Sequence, residues 1–574
     1  MLNRQNMWER LDGDFDLVII GGGINGAGIA RDAIRRGLKV ALVEQHDLAF
    51  GTSSRSSKLV HGGLRYLEQL QFALVFESVS ERGVLLKMAP HLVAPLGFIF
   101  PIYKGARRPM FMISAGMFLY DALSLFRSPG RRRMLWARHL EREEPALQRK
   151  QLRGAPLYFD AATDDARLTL ETAIDAAHEG AVVVTYARAT GVTRAQGRVS
   201  TLQVRCMLTG AEKSVRTKCI INATGPWTDL LLGAVTEGHR RTLRPTKGVH
   251  IVVPKTVLPL NHAVVMAHPA DGRVLFAIPW GDSTYIGTTD TDYKGDPAQV
   301  YADGDDIAYL LESTSKYFPA HPIGREDIIS TWAGLRPLIG PPEGADVNES
   351  AVSREHHIST TDDGIVSVAG GKLTTYRLMS AETVEAAMAW LSKQNLLGAD
   401  GAKPETGQIP LPGAAGWETG AALWTERTLA AAKGAVEPDT AQLLVATYGV
   451  RAPRVAELAA LDSRLAQRLI AQRPEIMAQI EWGITEEFLT TVNDALKQRT
   501  QLYYRDVNQG LEAIPAVGAY MAQKLGWSDE HRARMEQAYR DEVAASRAWQ
   551  DDYEAAMQRR EERRRALAPS KKKR

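Results

Sequence analysis

Cysteine is nearly absent. Two of the 574 residues are Cys206 and Cys219, and neither stands in a Cys-x-x-Cys pair. That excludes a disulfide framework and a cysteine zinc site, and it favours a reducing cytoplasm; no metal is expected. Cys219 lies in the apolar run before "NATG" and reads as a buried, inert thiol. Long hydrophobic runs are missing too. The first fifteen residues carry Arg4, Glu9, Arg10, Asp12 and Asp14 and no apolar core, so no secretory leader is expected. The nearest approach to spanning length is "PMFMISAGMFLYDALSLF" (109–126), which Asp121 interrupts. It reads as a buried helix. Lys104, Arg107 and Arg108 just before it suggest a membrane-surface segment as the alternative. No repeat of fixed period is visible.

What is present is ordinary in bulk and informative in pattern. Apolar residues make up 45% and charged residues 24%, and the length suffices for two or more packed units. The net charge of +3 is uneven: from Gln558 the chain holds nine Lys/Arg against two Glu, a tail of +7 on a body of −4. The tail reads as solvated and disordered, with attraction to an anionic membrane leaflet as the sharper alternative. The acidic body argues against an extended basic groove for nucleic acid.

Residues 16–44 read as a βαβ unit: "DLVII", a glycine turn, "GAGIARDAIRRG" with Ala27, Ala30, Ala33 and Ile34 on one face, and "KVALVE". From about 180 to 340 short β-type runs follow one another, from "AVVVTYA", "TLQVRCML" and "CIINATG" to "HIVVP", "VLFAIPW" and "TYIGTTD". A Gly281-Asp282 turn separates the last two, and an inserted antiparallel sheet is expected. "GIVSVAGGKLTTYRLMSAETVEAAMAWL" then returns to strand, turn, helix. After "LPGAAGWETG" the patterns are helical.

Gly21-x-Gly23-x-x-Gly26 fits a dinucleotide fingerprint. One glycine serves the tight turn, one the approach of the pyrophosphate and one helix–strand packing. Glu44, at the end of the next strand, is placed for a ribose hydroxyl and would repel a 2′-phosphate. The loop "GTSSRSSKLVHGGLRYLE" (51–68) follows directly, with five hydroxyl residues, a lysine and a histidine. Such a loop is often no more than a loop. Here it could run along an extended cofactor, which FAD needs and NAD seldom does.

"GGGINGAGIARDA", "TSSRSSKLVHGGLRYLE", "MAPHLVAP", "DDARL", "NATGPW", "KGVHIVVP", "IPWGDSTYIGTTDTDYKGDP", "GLRPL" and "GGKLTTYR" occur in this order. Together they resemble the FAD-dependent glycerol-3-phosphate dehydrogenase family, strongly over about 15–380 and more weakly beyond. The resemblance implies an α/β plus α fold. A glutathione-reductase-like FAD-binding domain would occupy 1–405 discontinuously, with an antiparallel β substrate domain inserted mainly at about 90–150 and 190–340. A helical C-terminal cap domain would span 406–550, and a basic disordered tail 551–574. It implies oxidation of sn-glycerol 3-phosphate to dihydroxyacetone phosphate. Electrons would pass to membrane quinone from the cytoplasmic face of an anionic inner membrane surface, with peripheral attachment and no nucleic-acid partner. A homodimer is compatible with it. The alternatives are a glycerol-3-phosphate oxidase using oxygen, a branch that carries an insertion with no obvious counterpart here, and an FAD amine or amino-acid oxidase.

Carried onto this sequence, the expected FAD contacts are Gly21, Gly22, Gly23, Ile24, Asn25, Gly26, Glu44, Thr52, Ser53, Ser54, Ser57, Lys58, His61, Gly62, Ala223, Thr224, Gly225, Gly370, Gly371, Lys372, Leu373 and Thr374. Lys372 and the glycine turn beside a helix start would stabilise negative charge near the flavin ring. A phosphate dianion calls for fixed cations, for which Arg65, Arg336 and Lys372 are the candidates, with Tyr66 beside them. His250 in "KGVHIVVP" is the favoured proton acceptor, since a neutral imidazole takes a proton near pH 7. Strand alternation sets Gly248, His250 and Val252 on one face. A buried core histidine is the competing reading of His250, and Arg336 could also polarise the alcohol.

Overall fold

The computed structural model describes residues 2–63, 71–105, 110–123, 128–340, 356–397 and 404–567. Its first sheet grows from β1 (Asp14–Ile20), α1 (Ile24–Arg35) and β2 (Val40–Val43). β2 is buried throughout, as are Leu17 to Ile20 of β1, as a parallel sheet covered on both faces requires. The spatial order is His356–Thr360, Ile365–Gly370, Glu212–Asn222, β1, β2, Val182–Val184. All neighbours are parallel except the first pair. The register pairs Ile20 with Val43 and with Asn222, and Asn222 with Ser367. Four strands therefore end on one edge, which puts Gly21, Glu44 and Ala223 side by side, with Gly370 two residues beyond that level on the neighbouring strand. Ligands of open α/β sheets bind outside that carboxyl edge.

One expectation is corrected here. "AVVVTYA", "TLQVRCML" and "CIINATG", expected in the inserted sheet, belong to the first one. Val182–Val184 pairs in parallel with β2, and the hairpin Ala187–Ala195 and Arg198–Cys206 pairs onto Glu212–Asn222. Short apolar runs look alike in either setting, and only pairing decides.

Among the described residues the second sheet has eleven strands. Toward one end of it β3 (Leu243–Pro254) is antiparallel to both β4 (Ser283–Gly287) and β5 (Ser330–Ile339). The Gly281-Asp282 turn forms as expected, with Trp280 paired to Ser283 and Gly281 at φ +63°.

Of two helices beside this sheet, one is less buried than expected. α2 (Phe72–Met88) and α3 (Met110–Leu123) pack together through Val75, Val79 and Tyr120. Within the 109–126 stretch Met110–Leu123 is helical as read, yet Met112, Phe118 and Leu119 are exposed, as are Phe72 and Phe76 on α2. Only one side of the pair finds a core.

Helices fill most of Gly420–Arg547. They are fastened to the first sheet by buried ion pairs: Arg167 is bidentate to Glu487, and Arg499 to Asp47 at 2.7 and 3.0 Å. The disordered tail expected from 551 is also corrected. Trp549–Leu567 is a helix whose Trp549, Tyr553 and Ala556 are buried. Arg559 pairs with Asp305 and Asp552, and Arg560 with Glu312, so two of the tail's nine basic residues are bound to the body. Residues 568–574 lie outside the described ones.

Candidate active site

The first glycine turn is built by steric necessity. Gly21 has φ +109°, and a Cβ there would lie 2.6 Å from the Ala223 carbonyl oxygen. A Cβ on Gly26 would lie 1.9 Å from the Gly21 carbonyl oxygen, so α1 runs hard against the turn. The Ser53 hydroxyl accepts from the Ile24 N–H at 2.9 Å. Glu44 accepts from the Gly22 N–H at 2.6 Å and the His46 N–H at 2.8 Å. Burial nevertheless pushes its carboxyl up to about 7, against the pull of those two bonds.

The second turn repeats the device. Gly370 and Gly371 have φ +76° and +83°, and a Cβ on Gly371 would meet the Met379 side chain at 2.3 Å. Leu373–Thr375 winds into the helix Tyr376–Lys393. The two turns are joined by one cavity of about 370 Å³. Of the expected FAD contacts it is lined by Gly21, Gly23, Ile24, Asn25, Glu44, Thr52, Ser53, Ala223, Thr224, Gly225, Gly370, Gly371, Lys372 and Leu373. That lining fits FAD: an acid and an anion-binding turn at one end, a second glycine turn with a lysine at the other.

Other expected contacts stand outside the cavity lining, each for a visible reason. Gly22 is closed in by Leu48 and Glu44, and Gly26 by the turn itself. Gly62 packs on Tyr120 and Val79. His61 gives its carbonyl to the Thr374 hydroxyl at 3.3 Å. Ser54 receives Gln498 at 3.3 Å. Lys58 is buried, donating to Asp165 at 2.6 Å under the rings of Trp280, Trp332 and Tyr504. Burial works against its charge, but Asp165 raises its pKa overall. Ser57 turns to His250 instead. Arg65 and Tyr66 lie outside the described residues.

Pairing within the second sheet brings His250 and Arg336 onto one face. β3 pairs His250 with Trp332, Gly248 with Gly334 and Thr246 with Arg336. Arg336 lies over Gly248, where a Cβ would sit 2.6 Å from its Nη2. Its Nη1 donates to Asp290 at 3.0 Å and its Nη2 to the Thr288 hydroxyl at 3.0 Å. His250 is stacked on Trp332 at 4.8 Å and 14°. Burial first, then Arg336 and Lys58, hold its pKa well below the usual imidazole range, so the ring is neutral.

Sequence reasoning missed the far end of the cavity. His46 stacks on Phe50 at 3.8 Å, and Phe50 lies 6.5 Å from Trp227. With Arg188 these residues line the Glu44 end. Burial, then Arg55 and Arg188, lower His46 to about 4. Only Trp227 carried a signal, in "NATGPW".

A family profile described as "FAD dependent oxidoreductase" matches residues 16–377, and "C-terminal domain of alpha-glycerophosphate oxidase" matches 404–532. The aerobic glycerol-3-phosphate dehydrogenase of Bacillus subtilis (strain 168) is 38% identical over 520 residues, 90% of this chain and 92% of that protein. The chain belongs to the FAD-dependent glycerol-3-phosphate dehydrogenase family. The mitochondrial glycerol-3-phosphate dehydrogenase of Macaca fascicularis is 35% identical, over 90% of this chain and 72% of its own. Among solved structures, glycerol-3-phosphate dehydrogenase from Bacillus halodurans complexed with FAD superimposes with a TM-score of 0.77 at 31% identity, covering 95% of this chain and 98% of that one. The family's cofactor is FAD, in keeping with the cavity.

Proposed function

We propose that the chain oxidises sn-glycerol 3-phosphate to dihydroxyacetone phosphate. The observation that carries this reading is the single cavity joining two glycine turns, with a neutral His250 and a cationic Arg336 on one face of the adjoining sheet. The names of the relatives agree with it. The strand order of the first sheet supports a glutathione-reductase-like FAD-binding domain. The second sheet then supplies the substrate-binding part, and the helices after Gly420 the cap.

Arg336 holds the phosphate, its guanidinium aimed by Asp290 and Thr288. Lys372, lining the cavity beside the second turn, adds a cation between phosphate and cofactor ends. His250 takes the proton of the C2 hydroxyl. FAD, when bound, supplies the two-electron acceptor for the C2 hydride. Stopped-flow mixing with glycerol 3-phosphate under anaerobic conditions tests the reading: the flavin absorbance bleaches with this substrate and not with amino acids. Absence of bleaching would sink it.

The onward acceptor in this reading is a membrane quinone. No described helix is long and apolar enough to cross a bilayer. Phe72, Phe76, Met112, Phe118 and Leu119 present exposed apolar surface on α2 and α3, with Arg132 over the Phe118 ring. This pair of helices would seat the protein on an anionic leaflet. Oxygen uptake by the purified holoenzyme without quinone checks the acceptor, since rapid peroxide formation would point to an oxidase.

A further inference from the structure

Ser57 is not among the residues that line the cavity. It sits between two glycine-rich motifs in a loop whose neighbours are all engaged elsewhere. Ser56 donates to Asp165 from both N–H and hydroxyl, at 3.1 and 2.7 Å, and the Ser56 carbonyl receives the Trp332 indole N–H at 3.1 Å. The Ser57 carbonyl receives the Tyr285 hydroxyl at 2.9 Å. These bonds fix the backbone and leave one side-chain contact, Ser57 Oγ to His250 Nε2 at 2.9 Å.

The imidazole is held on its other sides as well. Trp332 stacks on one face, and a Cβ on Gly287 would lie 2.0 Å from its Cδ2. Its Nδ1 is buried and has no hydrogen-bond partner among the described residues. Two neutral tautomers are available. With the proton on Nδ1, a buried N–H donor would be orphaned, which native interiors strongly avoid. With the proton on Nε2, Ser57 Oγ accepts it, and what is left at Nδ1 is a lone pair. The cations nearest the ring, Arg336 and Lys58, also favour a lone pair over an N–H. Their own partners, Asp290 and Asp165, pair with them directly, and Asp164, Tyr285 and Tyr504 are further titratable groups around the ring and Lys58.

We propose that Ser57 is a positioning residue for His250: its hydroxyl oxygen accepts the Nε2 proton and so fixes the tautomer whose Nδ1 takes the proton of the substrate alcohol. The proposal rests on reading His250 as the proton acceptor. With FAD bound as the two-electron acceptor, the O–H bond of the C2 hydroxyl would break toward Nδ1, the C2–H bond would give up its electron pair as hydride, and C2=O would form. Ser57 neither gains nor loses a proton.

The test uses holoenzyme labelled with [15N]histidine, read by NMR, beside anaerobic stopped-flow reduction across pH. His250→Gln identifies the His250 resonances by their loss. In the wild type, His250 shows the Nε2–H tautomer. In Ser57→Ala it shifts toward a mixture, and flavin reduction slows about 10- to 100-fold, less than the roughly 10²- to 10⁴-fold that a positioned base contributes in full. The acidic limb of the rate profile moves down in pH, because the imidazolium loses an acceptor. Ser57→Thr keeps the hydroxyl and the Nε2–H form, and Ser57→Cys, nearly isosteric, covers the case in which alanine fails to retain flavin. An unchanged tautomer and limb in the alanine and cysteine variants would overturn the proposal, even if rates fell. An Nδ1–H tautomer in the wild type would overturn it outright. If His250→Gln keeps the wild-type rate and limb, the proton-acceptor reading itself fails, an outcome the Ser57 variants cannot mimic.

Discussion

At the scale of single residues, charge and register decide what each group can do. Glu44 titrates at about 7, so it is protonated below that value and ionised above it. An ionised carboxylate accepts ribose hydroxyls better. FAD affinity of the apoprotein is therefore expected to rise as pH climbs through 7 and to level off beyond 8, and Glu44→Gln to flatten the curve; fluorescence titration of FAD checks both. Arg336→Lys keeps charge but not the planar fork, and should lower kcat/KM for glycerol 3-phosphate about 100-fold, equivalent to roughly 3 kcal/mol. Steady-state kinetics decide this, with inorganic phosphate inhibition weakening in parallel. The pairing of His250 with Arg336 was half legible in the sequence. Alternation gave the face of β3, but Arg336 joins it only through antiparallel pairing with a strand far downstream. Ser57 was not legible as a partner of His250, because the two are 193 positions apart and a serine in a hydroxyl-rich loop carries no mark of its contact.

At the scale of elements, the turns and the helical part carry most of the constraint. The backbone oxygen that a Cβ on Gly26 would strike cannot swing aside. Gly26→Ala should therefore yield protein lacking flavin, read from the ratio of visible to ultraviolet absorbance. Arg499 is buried and bidentate to Asp47, three residues past Glu44. Replacing it with methionine leaves Asp47 buried without its cation and should cost about 3–5 kcal/mol. The thermal midpoint of the holoenzyme is the readout, and adding Asp47→Asn should recover part of the loss. The βαβ unit was legible because its glycines, alternation and acid fall within one short stretch. The strands Val182–Val184 and Glu212–Asn222 were misplaced because an apolar run names its burial and not its neighbours. The last helix was missed since its basic composition masks Trp549, Tyr553 and Ala556, which share one face.

At the scale of the whole molecule, the exposed apolar helices and the cavity are separate features of one body. Phe76→Ser combined with Phe118→Ser is expected to reduce co-sedimentation with vesicles containing anionic lipid while leaving flavin content and soluble-acceptor turnover unchanged. Unaltered sedimentation would refute the seating of α2 and α3 on the leaflet. The division into sheet, inserted sheet and helices was readable from shifts in periodicity, whereas the ion pairs that fasten them were not. Arg167, Asp47, Glu487 and Arg499 look like ordinary surface charges until the chain folds back. The cavity itself has a temporal consequence. One wall is made by Gly21 and the other by Gly370 and Lys372, so a ribosome must release most of the chain before the groove exists. A growing chain halted before residue 365 holds the ADP end of the site without the ring end. Cofactor capture thus waits until about two thirds of the chain has been made, and flavin supply acts on chains that already carry both turns instead of on nascent N-terminal fragments.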